Sequence, residues 1–128
     1  MTPPFTQDEF IAHLGQILAR YRLDLTHEKK TQEQIGECLA INNIAFDREY
    51  RMENADGKTD IPDFFVSGIV LEVKANRASA SKTITQLTRY ASHETVNALI
   101  LVTNKAMDLP ASINGKPVHS VSTGKAWL

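Results

Sequence analysis

Cysteine is almost absent from this chain. Cys38 stands alone, so no internal disulfide can form, and the composition suits a reducing compartment such as the cytoplasm. No apolar run approaches the ~20 residues of a membrane-spanning helix. The opening MTPPFTQDEF is acidic and polar rather than signal-like, so no membrane partner is expected. Neither sign of charge is in excess. Against 14 Lys and Arg stand 15 Asp and Glu, a formal charge of −1. That balance argues against a strongly basic nucleic-acid binder, but not against an enzyme with a local positive surface. Paired His/Cys spacing for zinc, a glycine-rich phosphate loop and a nucleophile elbow are all missing. The four histidines, His13, His27, His93 and His119, are isolated, and His93 is expected to cap or follow a helix.

What is present reads as one α/β domain of 128 residues. Thr6 with Glu9 forms a capping box, and Phe5 can staple to Phe10. They start a helix whose apolar stripe is Phe10, Leu14, Ile17, Leu18 and Tyr21. A second helix is predicted from about His27 to Asn42, with Ile35, Cys38 and Leu39 inward. Strands are predicted over Ile44–Met52, Ile61–Val66 and Ile69–Ala75, the last two joined by a tight hairpin at Ser67-Gly68. Ser79 or Ser81 caps a third helix through about Val96, with Ile84, Leu87 and Ala91 inward. The run ALILVT, Ala98–Thr103, has the signature of a buried central strand. A loop over Asn104–Lys116 then leads to a strand over Pro117–Ser122. The expected order is ααβββαββ, a mixed sheet flanked by helices.

Pro62-Asp63 and Glu72-Val73-Lys74 are the most informative stretch. Alternation puts Glu72 and Lys74 on one face with Val70, and Ile69, Leu71 and Val73 on the other. The hairpin folds Asp63 back toward Glu72, and two carboxylates so close repel unless a cation or proton intervenes. As a lone feature this is equally a charged hairpin on a sheet surface. Glu28 falls in line with Ile35 and Leu39 on the inward face of the second helix, with Gln32 one turn on. A carboxylate buried there needs a partner; alternatively, Glu28 occupies a first helical turn, where the macrodipole favours it. Glu33 is the other candidate for a helix-borne site carboxylate. On the third helix Lys82, Gln86 and Tyr90 share a stripe with Arg89 beside it, a set suited to positioning phosphate. Asp60 is expected in a turn.

Together, Glu28-x-x-x-Gln32, Pro62-Asp63, Glu72-Val73-Lys74 and Gln86-Leu87-Thr88-Arg89-Tyr90 resemble the PD-(D/E)XK nuclease superfamily, in the family's order and over most of the chain. The last motif has the form of the recombination-exonuclease branch. The resemblance implies a restriction-endonuclease-like fold and a metal-dependent nuclease hydrolysing DNA, with compact phage or recombination nucleases as the nearest kind. It implies that Asp63, Glu72 and the Val73 carbonyl ligate Mg²⁺ or Mn²⁺, and that Glu28 holds a water or a second ion. Lys74 would orient or deprotonate the attacking water. Gln86 and Tyr90 would support the site, and Arg89 would reach a phosphate. A structure-specific endonuclease, which leaves room for a homodimer, is weighed against an exonuclease and against a silent binding module on the same fold. Trp127 and its neighbours are expected either to close the core or to form a self-association surface.

Overall fold

The expected capping box opens the first helix, α1 (Gln7–Arg20), in the computed structural model, which describes residues 6–21, 23, 27–74, 79–104 and 107–122. The Thr6 hydroxyl accepts from the Glu9 amide at 3.2 Å, and the Glu9 carboxylate accepts from the Thr6 amide at 3.4 Å. Two otherwise orphaned N–H groups are satisfied by this exchange. Ile11 joins Leu14 and Leu18 as the buried positions, with Phe10, Ile17 and Tyr21 packed at the margin. In α2 (Glu28–Ile41) the buried stripe is Thr31, Ile35, Cys38 and Leu39. Thr31 is tolerated there because its hydroxyl donates to the His27 carbonyl at 3.0 Å. The staple from Phe5, the strand end at Ala75 and the tail carrying Trp127 lie outside the described residues.

The strand expected over Ile44–Met52 is instead two short ones, β1 (Asp47–Arg48) and β2 (Met52–Glu53). Glu49 lies between them at φ 51°, a left-handed backbone that no β-ladder accommodates. A separate two-stranded hairpin pairs β2 with β3 (Thr59–Asp60), and so Asp60 is a buried strand residue rather than a turn residue. Next come β4 (Phe64–Val66) and β5 (Ile69–Lys74), antiparallel across Ser67 and Gly68 at φ 49° and 87°. Both turn residues are left-handed, as a two-residue hairpin of this twist demands.

The third helix, α3 (Ala80–Ala91), uses Ser79 as its cap and stops before the expected Val96. Its end is determined from elsewhere in the chain. Lys116 donates its ammonium to the Ala91 and His93 carbonyls at 2.7 and 2.6 Å, and Asn114 donates its amide to Ala91 at 3.0 Å. Buried on this helix are Thr83, Leu87, Tyr90 and Ala91, while Ile84 is only partly covered. All six residues of β6 (Ala98–Thr103) are buried, as a central strand requires. Two strands, β7 (Ser112–Ile113) and β8 (Lys116–Ser122), close the described chain. The turn between them is Asn114-Gly115, both left-handed, where a loop was expected.

The fold is α/β with a mixed sheet, six-stranded among the described residues, and the element order is ααβββββαβββ rather than ααβββαββ. Across the sheet the strands run β1-β4-β5-β6-β8-β7, with β6 parallel to both β5 and β8. One face (Ile69, Leu71, Val73, Ile100, Val102) packs with α1 and α2, and the other (Val70, Leu99, Ile113) packs with α3. Glu72 therefore emerges under α3, on the side away from the larger core. Among the described residues no helix is long and apolar enough to cross a membrane.

Candidate metal and phosphate site

Backbone pairing between β4 and β5 ends at Phe64 opposite Leu71. Beyond it Pro62 has no N–H to offer, and side chains take over from the ladder. The Asp63 amide donates to Glu72 Oε1 at 3.1 Å, and the Val73 amide donates to Asp63 Oδ2 at 2.8 Å. Each carboxylate thus satisfies an amide at the point where the two strands part. In an extended strand a residue's N–H and C=O point to the same side. The Val73 carbonyl accordingly faces the Asp63 side, while its side chain packs in the core.

Glu72 is only 3 % exposed. Its second oxygen, Oε2, lies 3.5 Å from Lys74 Nζ and 3.3 Å from the Tyr90 hydroxyl. That hydroxyl accepts from Gln86 Nε2 at 2.9 Å and has the Ile61 carbonyl at 3.4 Å as an alternative acceptor. Gln86 and Tyr90, one turn apart on α3, therefore act as a pair that fixes Glu72 from above. Burial, then the neighbouring Asp63 charge, pushes the Glu72 carboxyl up to about 7 despite the Asp63 amide and Lys74. The Asp63 carboxyl is also raised, first by burial. Glu28 adds to the rise, whereas the Val73 amide, Lys74 and Arg48 oppose it. Burial and the two carboxylates likewise push the Tyr90 phenol up, so it remains a donor.

Beside this pair an open cleft of about 650 Å³ is lined by Glu28, Lys74, Lys82, Gln86 and Arg89, together with hydroxyl side chains of α3. Asp63 and Glu72 are not on its wall; Lys74, which is, lies against Glu72. Glu28 is not inward as expected. It is exposed at the first residue of α2, because the buried stripe of that helix begins at Thr31. The first-turn setting suits its charge. Glu33 is exposed and does not line the cleft, so Glu28 is the carboxylate of α2 that the fold turns toward it. Gln32 instead accepts from Arg48 at 3.2 Å, and that guanidinium stacks 4.9 Å over the Phe64 ring. Lys82 is exposed at the rim.

The donor chemistry fits a hard divalent cation in type. Two adjacent carboxyls raised first by burial would both be relieved by one, and small cations keep several waters rather than a full protein cage. The set is small. Among the described residues no group of three or more His, Cys, Asp or Glu side chains converges to hold a metal, so Glu28 contributes its field rather than a shared cluster.

A second cluster, Asp60, Arg89 and His93, was not anticipated. Asp60 Oδ1 accepts from Arg89 Nε at 3.1 Å and Oδ2 lies 2.9 Å from His93 Nε2. Burial acts to raise the Asp60 carboxyl, but the hydrogen bonds and charges of His93 and Arg89 outweigh it and hold it low. No local spacing could announce a contact between residues 29 and 33 positions apart.

No protein-family model, curated protein or solved structure matches the chain.

Proposed function

We propose that the chain is a metal-dependent deoxyribonuclease, with the PD-(D/E)XK superfamily as the nearest kind and a structure-specific endonuclease as the preferred form. It would act on DNA in the cytoplasm, as a monomer or as a homodimer presenting two sites. One observation carries this reading. Asp63 and Glu72 are crossed at the parting of two strands, with Lys74, which lines the cleft, against Glu72 Oε2. Mg²⁺ or Mn²⁺ would be held by Asp63 and Glu72 with the Val73 carbonyl, and Glu28 would add charge from α2. When bound, the ion supplies neutralising charge to the phosphate as negative charge builds up.

The chain's own groups do the remaining work. Lys74, its side chain 22 % exposed and its Nζ tied to Glu72, can hold a water by hydrogen bond and exchange a proton with it. Tyr90 and Gln86 keep Glu72 in one rotamer, and precise placement of this kind supports catalysis more than an added contact would. Arg89 and Lys82 line the cleft as cationic partners for phosphate oxygens.

A binding module on the same fold is the second reading. It is favoured by the fact that each carboxylate already satisfies a backbone amide, which is a structural role in itself. The two readings separate in one panel. Linear, circular and branched DNA are incubated with Mg²⁺, Mn²⁺ or EDTA, and metal binding is followed by calorimetry. The nuclease reading expects metal-dependent cutting that Asp63→Ala and Lys74→Ala abolish in folded proteins. Activity in EDTA, full activity in either variant, or no heat of metal binding overturns it.

A further inference from the structure

We infer that Asp60 and His93 are positioning residues that present the terminal nitrogens of Arg89 to a phosphodiester group in the cleft; this deepens the proposed function and rests on DNA as the ligand. An arginine and a carboxylate left to themselves pair side by side through two parallel hydrogen bonds. Here they do not. Arg89 reaches Asp60 through Nε alone, because the second carboxylate oxygen is already taken by His93 Nε2. Among the described residues nothing else bonds the Arg89 guanidinium. Its side chain is 55 % exposed and lines the cleft, whereas Asp60 and His93 are buried beneath it.

The arrangement leaves the Nη1/Nη2 edge of the guanidinium, the edge that matches two phosphate oxygens, without a partner among the described residues. Anchoring Nε removes much of the rotamer freedom that an exposed arginine would lose on binding. His93 is itself fixed. Its carbonyl accepts from Lys116 at 2.6 Å, and its amide donates to the Tyr90 carbonyl at 3.2 Å. The anchor therefore reaches from the β7–β8 hairpin through His93 and Asp60 to the cleft wall. Lysine at position 89 would keep the charge but lose the fork.

The test reads binding rather than cleavage. A short single-stranded oligonucleotide is titrated in EDTA across a salt series. Arg89→Ala should weaken binding roughly ten-fold or more and flatten the log–log salt slope by about 0.7. Arg89→Lys should restore part of the slope without the affinity. His93→Phe, which keeps Arg89, should lose most of the same affinity, and His93→Gln, whose amide can still donate to Asp60 Oδ2, should recover it. Unchanged binding in Arg89→Ala, or no recovery in His93→Gln, overturns the inference. Should His93→Phe fail to fold, nitrogen NMR of the wild type decides. Inorganic pyrophosphate should shift the Nη resonances of Arg89 and leave Nε in place, and the reverse pattern overturns the inference. Binding with this dependence but without cutting would sink the nuclease reading alone. Cutting with His93→Phe binding like the wild type would sink this inference alone.

Discussion

Glu72→Gln separates the cost of the carboxylate pair from its benefit, because it removes a charge while preserving shape. The Glu72 carboxyl rises from its ordinary 4.5 to about 7 on folding, through burial and then through Asp63. Between these values the folded protein keeps a proton that the unfolded chain has released. Stability is therefore full below about pH 4.5 and falls as pH rises through about 7, by roughly 3 kcal/mol for this group. Asp63, also raised, acts with the same sign. Asp60 is lowered and acts oppositely, but it loses its contribution only in the acid range below its ordinary 3.8. Urea unfolding in EDTA at steps from pH 5 to pH 8 should show wild-type stability declining. The Glu72→Gln protein, still accepting from the Asp63 amide, should decline much less. At pH 8 the variant should be the more stable protein, with Tm higher on the order of 10 °C. Saturating Mg²⁺ should stabilise the wild type at pH 8 and do little for the variant, because a cation that binds only the folded carboxylate pair shifts that equilibrium. A wild-type stability that is flat or rising between pH 5 and pH 8 in EDTA would contradict a Glu72 carboxyl raised by folding. So would a variant that is less stable at pH 8.

Two further outcomes follow from contacts around the site. Tyr90→Phe removes the hydroxyl that links Glu72 to Gln86. It should cost about 1–2 kcal/mol in urea unfolding and reduce any metal-dependent activity through looser placement of Glu72; an unchanged midpoint and rate would remove Tyr90 from the site. Gly68→Ala places a Cβ at φ 87° against the Asn97 side chain. A loss of at least ~1–2 kcal/mol is expected, and a neutral result would show that the β4–β5 turn can re-form another way.

Local chemistry was readable where a residue's neighbours in sequence are also its neighbours in space. The Thr6/Glu9 box, the Ser67-Gly68 hairpin and the Gln86–Tyr90 contact one helical turn apart are all of this kind. The hairpin also made the approach of Asp63 to Glu72 legible, since one register forces both. The Asn114-Gly115 turn carried a hairpin signal as strong as any in the chain. It was hidden in a loop because its strand partner, Ser112–Ile113, is only two residues long. Two features left no sequence signal at all. The break of the β1–β2 segment comes at Glu49, whose amide makes the last bond of the β1–β4 register, to the Asp63 carbonyl at 3.1 Å, a contact made only once the sheet exists. The end of α3 likewise depends on Lys116 and Asn114, which arrive from the far edge of the sheet. Glu28 was read as inward from a helical stripe that Thr31 in fact terminates.

Three unrelated demands converge on the few residues between Asp60 and Asp63. Asp60 must anchor Arg89 and His93, the Ile61 carbonyl faces the Tyr90 hydroxyl, and Asp63 must satisfy the Val73 amide. Pro62 suits the middle of such a segment, since an N–H there would have no ladder partner and its fixed φ keeps the chain extended. The β2–β3 hairpin delivers this segment already ordered, with Asp60 paired to Met52, so the residues are not free to relax independently. That arrangement explains why two raised carboxyls can persist side by side. The surrounding bonds determine where Asp63 and Glu72 stand, and their repulsion can be relieved only by a proton or a cation, not by separation.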